Sequence, residues 1–357
     1  METQVADIPP VSDFRSRLLA LSGWARTTVA LVATLAAVSI FVALLGANPV
    51  DVFDAIIRGS LGTSFNISQT VTVMSILILT GLAAAIPFSA RLWNIGGEGQ
   101  MTAGAVAAAT LGIVLPEDLP RLLFPLIVLG GAAIAGALWG FIPGYLKARF
   151  DASEVVTSLM LNFVAAFIAV WVISDVFPQG FVQKTESVAD NATLPRIWEL
   201  VDVGVFIALA GAVASWIFLA HTRLGFSIRA IGANARASRL AGILTNRVTI
   251  LTFLSAGALA GLAGALIVLG RDHSLQQNFS ANFGFIGIGV ALTARLRPLA
   301  VIPAAFLFAI LRVGSSSLQA SAGLASSVGE VIVALLVMML IVTGVIKFLY
   351  PESPDAH

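Results

Sequence analysis

A short polar segment between two apolar runs holds the residues of this chain that best suit contact with a solute. It reads Asn94-Ile95-Gly96-Gly97-Glu98-Gly99-Gln100 and combines a carboxylate, two side-chain amides and three glycines. Glycine lets other groups approach the backbone closely. A carboxylate this near to hydrocarbon is costly and usually faces a cavity or a partner. The segment is therefore either a broken helix that lines a solute path or a plain turn with Glu98 in water.

A second polar group, Asn162, lies four residues after Ser158 in a long apolar stretch. That spacing places both side chains on the same face of a helix. They either line a path or form an interhelical hydrogen bond, which contributes roughly 0.6–2 kcal/mol in a membrane. Both interpretations stay open on the sequence alone.

The most basic stretch of the chain runs from His221 to Arg247. Apolar residues alternate there with arginines, and Gly225, Gly232 and Gly242 divide the stretch into short pieces. We expect Gly225 and Gly232 to set its shape through their backbone freedom. The pattern is typical of short amphipathic helices presented to a soluble partner. The alternative is that the arginines only hold the topology by contact with the membrane surface.

Composition identifies the elements that must position these residues. Of the 357 residues, 58% are hydrophobic and only 11% are charged, whereas soluble domains carry roughly 25% charged residues. This excludes an ordinary soluble enzyme and any disordered or fibrous class. Since a membrane helix needs about 20 apolar residues, the chain is predicted to be an all-α, polytopic membrane protein of about ten helices. The predicted spans are 27–46, 67–90, 101–115, 122–145, 154–174, 201–220, 249–270, 284–294, 299–313 and 325–346.

Two of these spans, 101–115 and 284–294, are too short to cross alone. They are tilted, extended past these limits, or broken and buried in protein. A weak internal echo relates residues 81–85 to 261–265 and residues 154–156 to 330–332. It is either an inverted repeat, as transporters often have, or a chance recurrence of small apolar residues.

The basic residues set the predicted orientation, because cytoplasmic loops carry an excess of Lys and Arg. With ten helices and both termini cytoplasmic, most of the 20 Lys and Arg face inward. This gives a cytoplasmic segment 1–26, one membrane domain 27–350 and a cytoplasmic tail 351–357. Within the domain, 177–200 is an external loop and 221–248 is a cytoplasmic loop.

Several kinds of site are excluded by residues that the sequence lacks. There is no cysteine, and the three histidines are far apart, so no metal site is predicted. A P-loop motif is absent, so ATP is not bound through a P-loop. A net charge of +1 gives no case for nucleic acid. An ion relay through the membrane has only Glu98 and Glu330 as candidates.

Three stretches resemble one family of transport proteins. Residues 92–101, which read LWNIGGEGQM, are similar to the "F-N-I-G-x-E-G-Q" signature of permease subunits in nucleoside-type ABC importers, within the ribose and branched-chain amino acid permease group. Residues 151–162 resemble its "A-x-E-V-x-x-x-L-M-L-N" stretch. Residues 225–243 resemble its cytoplasmic "G-x-x-x-R-A-x-G-x-N…A-G-I" loop. This chain departs at Leu92, where Phe is common, and at 233–235, where Asn-Pro is common.

The resemblance implies a permease subunit that does no covalent chemistry and binds no cofactor itself, with ATP and Mg²⁺ held by a separate ATPase. It also implies a second permease, often a shorter homologue, and a periplasmic or lipid-anchored binding protein, in a bacterial inner membrane. The substrate path then involves Asn94, Glu98, Gln100 and Asn162. The ATPase-coupling residues are Gly225, Phe226, Arg229, Gly232, Asn234 and Gly242.

Two rival interpretations remain at this point. An ion-driven secondary transporter would use Glu98 or Glu330 and need no ATPase. A structural or regulatory membrane protein would not transport at all.

Overall fold

Helices make up most of the chain. The computed structural model describes residues 48–316 without a gap, residues 38–44, and positions 32, 36, 46, 318, 331, 334 and 335. Between 48 and 316 the α-helices are α1 (Pro49–Leu61), α2 (Ser64–Ser89), α3 (Gly97–Val114), α4 (Leu123–Phe150), α5 (Glu154–Trp171), α6 (Gly204–His221), α7 (Arg223–Ala233), α8 (Ala235–Leu240), α9 (Thr245–Leu266), α10 (Phe283–Thr293) and α11 (Pro298–Ser316). Two of them continue as π-helix, α5 through Val172–Val176 and α9 through Ile267–Asp272.

Six of the described helices are long and apolar enough to cross a membrane. They are α2, α4, α6 and α11, together with α5 and α9 including their π-helical ends. A seventh span is present if Val38–Leu44 and α1 count as one broken helix. The prediction of a multi-pass, mostly helical membrane protein is therefore confirmed, and these six helices correspond to six of the predicted spans.

The two short predicted spans differ from the rest. The helix predicted at 101–115 begins earlier, at Gly97, and has 18 residues. The helix predicted at 284–294 is α10, with 11 residues. At 1.5 Å per residue α10 is about 16 Å long, roughly half of the hydrocarbon thickness. It packs along α2, where a Cβ on Gly287 would meet backbone atoms of Thr80. Helix α10 is therefore a half-helix buried in protein and not a span.

Some predictions fall on residues outside the described part. The predicted span 325–346, Glu330 and both chain termini lie there, and so does most of 27–46. The ten-helix count, the cytoplasmic termini and the inverted repeat therefore stay predictions.

The loop between α5 and α6 folds into two small β-hairpins, so the all-α prediction applies to the membrane helices and not to this loop. Strand β1 (Pro178–Gln179) pairs antiparallel with β2 (Val182–Thr185), and β3 (Arg196–Trp198) pairs with β4 (Val201–Asp202). Because β4 occupies the first residues of the predicted span 201–220, helix α6 starts later, at Gly204. Backbone bonds then fasten this loop to the ends of two helices, from the Ala189 amide to the Gly112 carbonyl (2.9 Å) and from Leu194 to Leu269 (3.0 Å).

Glycines set the close packing of α3, α4 and α9 at the centre of the protein. A Cβ on Gly104 of α3 would overlap the backbone of Gly261 on α9. Likewise, Gly136 of α4 lies against the carbonyl of Gly257, and Gly264 of α9 against that of Met101. Small residues allow membrane helices to approach closely enough for backbone packing. The three helices thus form a rigid support next to the polar segment 94–100.

Replacing Gly104 by valine tests this packing. The added side chain must push α3 away from α9, which we expect to lower the free energy of unfolding by about 1–3 kcal/mol or more. The matched control is Gly130→Val on α4, because nothing lies within 4 Å of the Cβ position there. Thermal unfolding of the purified protein in detergent provides the measurement. Equal melting temperatures for the two variants would contradict the proposed packing.

Candidate functional site

The segment between α2 and α3 turns back into the protein through a pair of side-chain amides. Asn94 Oδ1 accepts hydrogen bonds from the Gly96 amide (3.0 Å) and from Gln100 Nε2 (3.1 Å). Asn94 Nδ2 donates in turn to Gln100 Oε1 (3.0 Å). Both side chains are almost fully buried. A buried amide needs such partners because an unsatisfied polar group is costly. The pair therefore closes a loop at the start of α3.

Helix α5 holds the same segment from the other side. Asn162 Oδ1 accepts from the Gly99 amide (2.8 Å), and Asn162 Nδ2 donates to the Ile95 carbonyl (3.0 Å). One turn earlier, Ser158 Oγ accepts from the Ile95 amide (3.3 Å). Ser158 and Asn162 thus share a helical face, as their spacing predicts, and their partners are backbone groups of the glycine-rich segment.

Glu98 joins this segment to α10, which is 186 residues away in the chain. Its Oε2 accepts a hydrogen bond from the Gly284 amide (2.8 Å), and the Phe285 amide and the Ser280 side chain also contact the carboxylate. Glu98 is in the first turn of α3, and Gly284 is in the first turn of α10. The positive ends of two helix dipoles therefore meet at one carboxylate, which stabilises its negative charge.

Glu98 lies well inside the membrane-spanning layer. Gly99, its neighbour, binds Asn162, which is eight residues or about 12 Å along α5 from Glu154. On the other side, α10 packs against α2 near Thr80, nine residues or about 14 Å before the last residue of α2. Irregular backbone at such depth occurs only where it is buried in protein or lines a water-filled cavity. This depth contradicts a plain turn with Glu98 in water. It agrees with a broken segment that lies inside the protein.

The basic stretch 221–247 contains the two short helices α7 and α8. Ile228 and Ile231 of α7 are buried in a cluster that includes Leu92 and Phe253. The opposite face carries Phe226, which is 62% exposed. Asn234 ends α7 and begins α8, since its Oδ1 accepts from the Arg236 and Ala237 amides (both 3.0 Å).

An exposed surface results from this arrangement. Leu240 and Leu244 are 86% and 60% exposed, and the arginines beside them are exposed as well. The exposed arginines are Arg223, Arg229, Arg236, Arg239 and Arg247.

The reason proposed for two of the glycines in this stretch is wrong. Gly225 and Gly232 lie inside α7 with ordinary helical backbone, and positive φ occurs only at Gly242 (φ 82°) among the three. A Cβ on Gly225 would instead overlap the Phe218 carbonyl, and one on Gly232 would overlap the Ser89 carbonyl. These glycines therefore allow α7 to pack on α6 and α2, and Gly242 alone supplies a left-handed turn.

Sequence reasoning missed the irregular segment before α10. His273, Asn278, Ala281 and Asn282 all have positive φ, between 45° and 62°, a conformation that is uncommon outside glycine. The signal that was available is the amide-rich run from Gln276 to Asn282, directly before a short apolar helix. Among the described residues, no group of three or more His, Asp or Glu side chains is placed to hold a metal ion.

Comparisons with known proteins show similarity to one family of transport proteins. The family described as "branched-chain amino acid transport system / permease component" matches residues 66–344. The nucleoside ABC transporter permease NupB of Lactococcus lactis is 32% identical over 329 residues, covering 88% of this chain and 90% of the relative. The glucose ABC transporter permease TsgB13 of Haloferax volcanii is 33% identical, with 94% and 91% covered. The guanosine ABC transporter permease NupP of Bacillus subtilis is 32% identical, with 90% and 93% covered.

The hydrogen bonds of Asn162 predict a measurable loss of stability on substitution. Asn162→Leu leaves the Gly99 amide and the Ile95 carbonyl without partners, which we expect to lower the free energy of unfolding by about 1–3 kcal/mol. Phe163→Leu, at the adjacent exposed position, serves as the control and should change it by less than about 0.5 kcal/mol. Unfolding in detergent, followed by temperature, provides the comparison. Indistinguishable curves for the two variants would show that these hydrogen bonds do not hold the segment.

Proposed function

We propose that this chain, which belongs to the permease-component family of branched-chain amino acid transport systems, forms the solute path of an ATP-driven importer for nucleosides or related sugar-containing solutes. The family match and the relatives make it a membrane-spanning ABC permease subunit, with ATP hydrolysis in a separate subunit. The observation that carries the solute class is about 32% identity over most of the chain to two permeases named for nucleosides. The glucose permease among the relatives keeps the sugar-containing class open.

In this proposal the four predicted path residues have two different roles. Asn94, Gln100 and Asn162 use their polar groups on one another and on backbone, so they brace the broken segment. Glu98 is half-buried and fixes the start of α10 beside the path. The position of α10 beside the path then depends on the hydrogen bond between Glu98 and the Gly284 amide.

The surface of α7 and α8 is proposed as the ATPase-coupling surface. Support comes from its apolar groups surrounded by arginines, since buried apolar anchors supply most interface energy. Phe226 and Arg229 contribute exposed groups, whereas Gly225, Gly232, Asn234 and Gly242 shape the element. ATP and Mg²⁺ are expected in the partner and no cofactor in this chain.

A second permease and a binding protein complete the proposed complex in a bacterial inner membrane. The permease family implies both partners together with the ATPase. Lactococcus lactis has a further relative, NupC, which is 23% identical. Its 244 aligned residues are 76% of NupC, whereas 329 are 90% of NupB, so NupC is the shorter protein. A shorter homologous partner is thus consistent with these relatives.

The coupling surface is tested with charge introduced at its apolar groups. Phe226→Asp and Leu240→Asp should each reduce co-purification with the ATPase subunit and solute-stimulated ATP hydrolysis at least fivefold, because a buried carboxylate opposes docking. Phe181→Asp is the control, since Phe181 is also exposed but lies on the β1–β2 hairpin at the other side of the protein. Wild-type ATPase binding by both test variants would refute the coupling assignment.

The role of Glu98 is tested by uptake of radiolabelled guanosine. Glu98→Gln keeps a hydrogen-bond acceptor for the Gly284 amide and should retain partial uptake, whereas Glu98→Leu removes the acceptor and should reduce uptake at least tenfold. Uptake by the wild type should survive an uncoupler and stop on ATP depletion. Full transport with the leucine variant would eliminate Glu98 from the mechanism, and loss of uptake with the uncoupler alone would favour the ion-driven rival.

A further inference from the structure

The irregular segment 276–282 carries four amide side chains directly before α10. They are Gln276, Gln277, Asn278 and Asn282. Gln277, Asn278 and Asn282 are exposed, and Phe285, one turn further along, is 37% exposed. Within the described part of the chain, the Asn278 and Asn282 side chains make no hydrogen bond. These groups are therefore free to bind something else.

The inner end of this segment lies at the middle of the membrane-spanning layer. Gly287 packs against Thr80 of α2, and Val290 packs against Gly81. Helix α10 therefore runs alongside α2 and begins about four residues before the level of Thr80. The start of α10 is therefore level with the middle of α2, a helix of 26 residues, about 20 Å from either end. The other end of the segment lies next to the β1–β2 hairpin, since the Gln277 amide donates to the Gln183 carbonyl in β2 (3.1 Å).

An exposed amide at this depth cannot face lipid. Moving an amide into hydrocarbon without a hydrogen-bond partner costs several kcal/mol. By contrast, the exposed residues of α5 at a similar depth are apolar, among them Met160, Phe163 and Phe167. Phe163 directly follows Asn162, which binds Gly99 beside Glu98. The two exposed faces thus differ in polarity, and the face that carries Asn282 suits a water-filled cavity or a polar protein surface and not lipid.

The two charged groups Arg271 and Glu98 are already engaged, which bears on the type of solute. Arg271 makes a bidentate ion pair with Asp272 (2.7 and 2.8 Å), donates to the Phe279 carbonyl and lies over the Phe283 ring. The Glu98 carboxylate is held by the start of α10. The exposed groups at the start of α10 are neutral amides, which both donate and accept hydrogen bonds, and the Phe285 ring.

We propose that Asn278, Asn282 and Phe285 form the solute-contacting wall of the translocation path. The amides bind hydroxyl groups of a neutral solute, and Phe285 stacks on a flat ring, since aromatic rings stack on bases irrespective of their identity. A nucleoside combines these two features. This inference rests on the proposed function for its choice of solute, but the assignment of the water-facing wall is independent of it.

The absence of cysteine in the sequence permits a direct test with single introduced cysteines. Asn278→Cys and Asn282→Cys, in membranes that contain the whole transporter, are treated with a charged, membrane-impermeant thiosulfonate reagent. Both should react at least tenfold faster than Phe163→Cys, the control on the apolar face at a depth similar to that of residue 282. Phe285→Cys provides a second position if Asn282→Cys does not fold. Rates as low as that of the control at both 282 and 285 would overturn the proposed wall.

Solute contact is tested separately from water access. Guanosine at saturating concentration should slow labelling of Asn282→Cys at least threefold, and fast labelling without such protection would overturn the contact. In uptake assays, Asn282→Gly keeps the positive φ but removes the amide, so the half-saturating guanosine concentration should rise several-fold. If the wild type does not take up guanosine, the choice of a nucleoside as solute fails, while the labelling rates still decide whether 278–285 is the water-facing wall.

Discussion

One half-buried carboxylate holds together the part of this protein where the membrane helices are broken. Glu98 begins α3 and accepts the amide hydrogen of Gly284 at the beginning of α10. Two helix N-termini that point at each other inside a membrane would repel electrostatically and leave amide groups unpaired. The negative charge removes both difficulties at once. The half-helix α10 can therefore begin at mid-depth, with an irregular, amide-rich segment leading into it.

The surrounding residues of the site keep that carboxylate in place. The Asn94–Gln100 pair closes the loop before α3, and Asn162 binds its backbone from α5. Close contacts at glycines between α3, α4 and α9 leave no room for α3 to move away. The polar groups of this network are satisfied within the network, which leaves the exposed amides before α10 as the groups available to a solute.

The sequence was sufficient to predict the polar residues of the site but not the contacts that they make with distant parts of the chain. A carboxylate and amides among glycines near hydrocarbon identified Glu98 as unusual, and the spacing of Ser158 and Asn162 placed them on one face. The partner of Glu98 was not predictable, because Gly284 lies 186 residues away and a backbone amide has no sequence signature. For Gly225 and Gly232, the need for glycine comes from the close approach of other helices, and not from the local backbone.

The segment 276–282 was missed because its amides look like those of an ordinary external loop. Only the packing of α10 on α2 shows that its inner end lies at mid-depth. The predicted start of α6 was too early for a related reason, since the apolar residues at 201–202 pair with β3 before the helix begins. Both errors arise where tertiary contacts override the local pattern of hydrophobicity.

Amide hydrogen exchange at the start of α10 tests the central interaction most directly. In the wild type, a peptide covering residues 283–288 should exchange slowly, because Glu98 accepts the Gly284 hydrogen. A hydrogen bond to a charged group stabilises a structure by about 1.5–3 kcal/mol. Because Glu98→Leu removes this bond, it should accelerate exchange there about tenfold to a hundredfold. Glu98→Gln should have a smaller effect, and peptides from α6 should not change. Unaltered protection of residues 283–288 in Glu98→Leu would show that this carboxylate does not hold the half-helix.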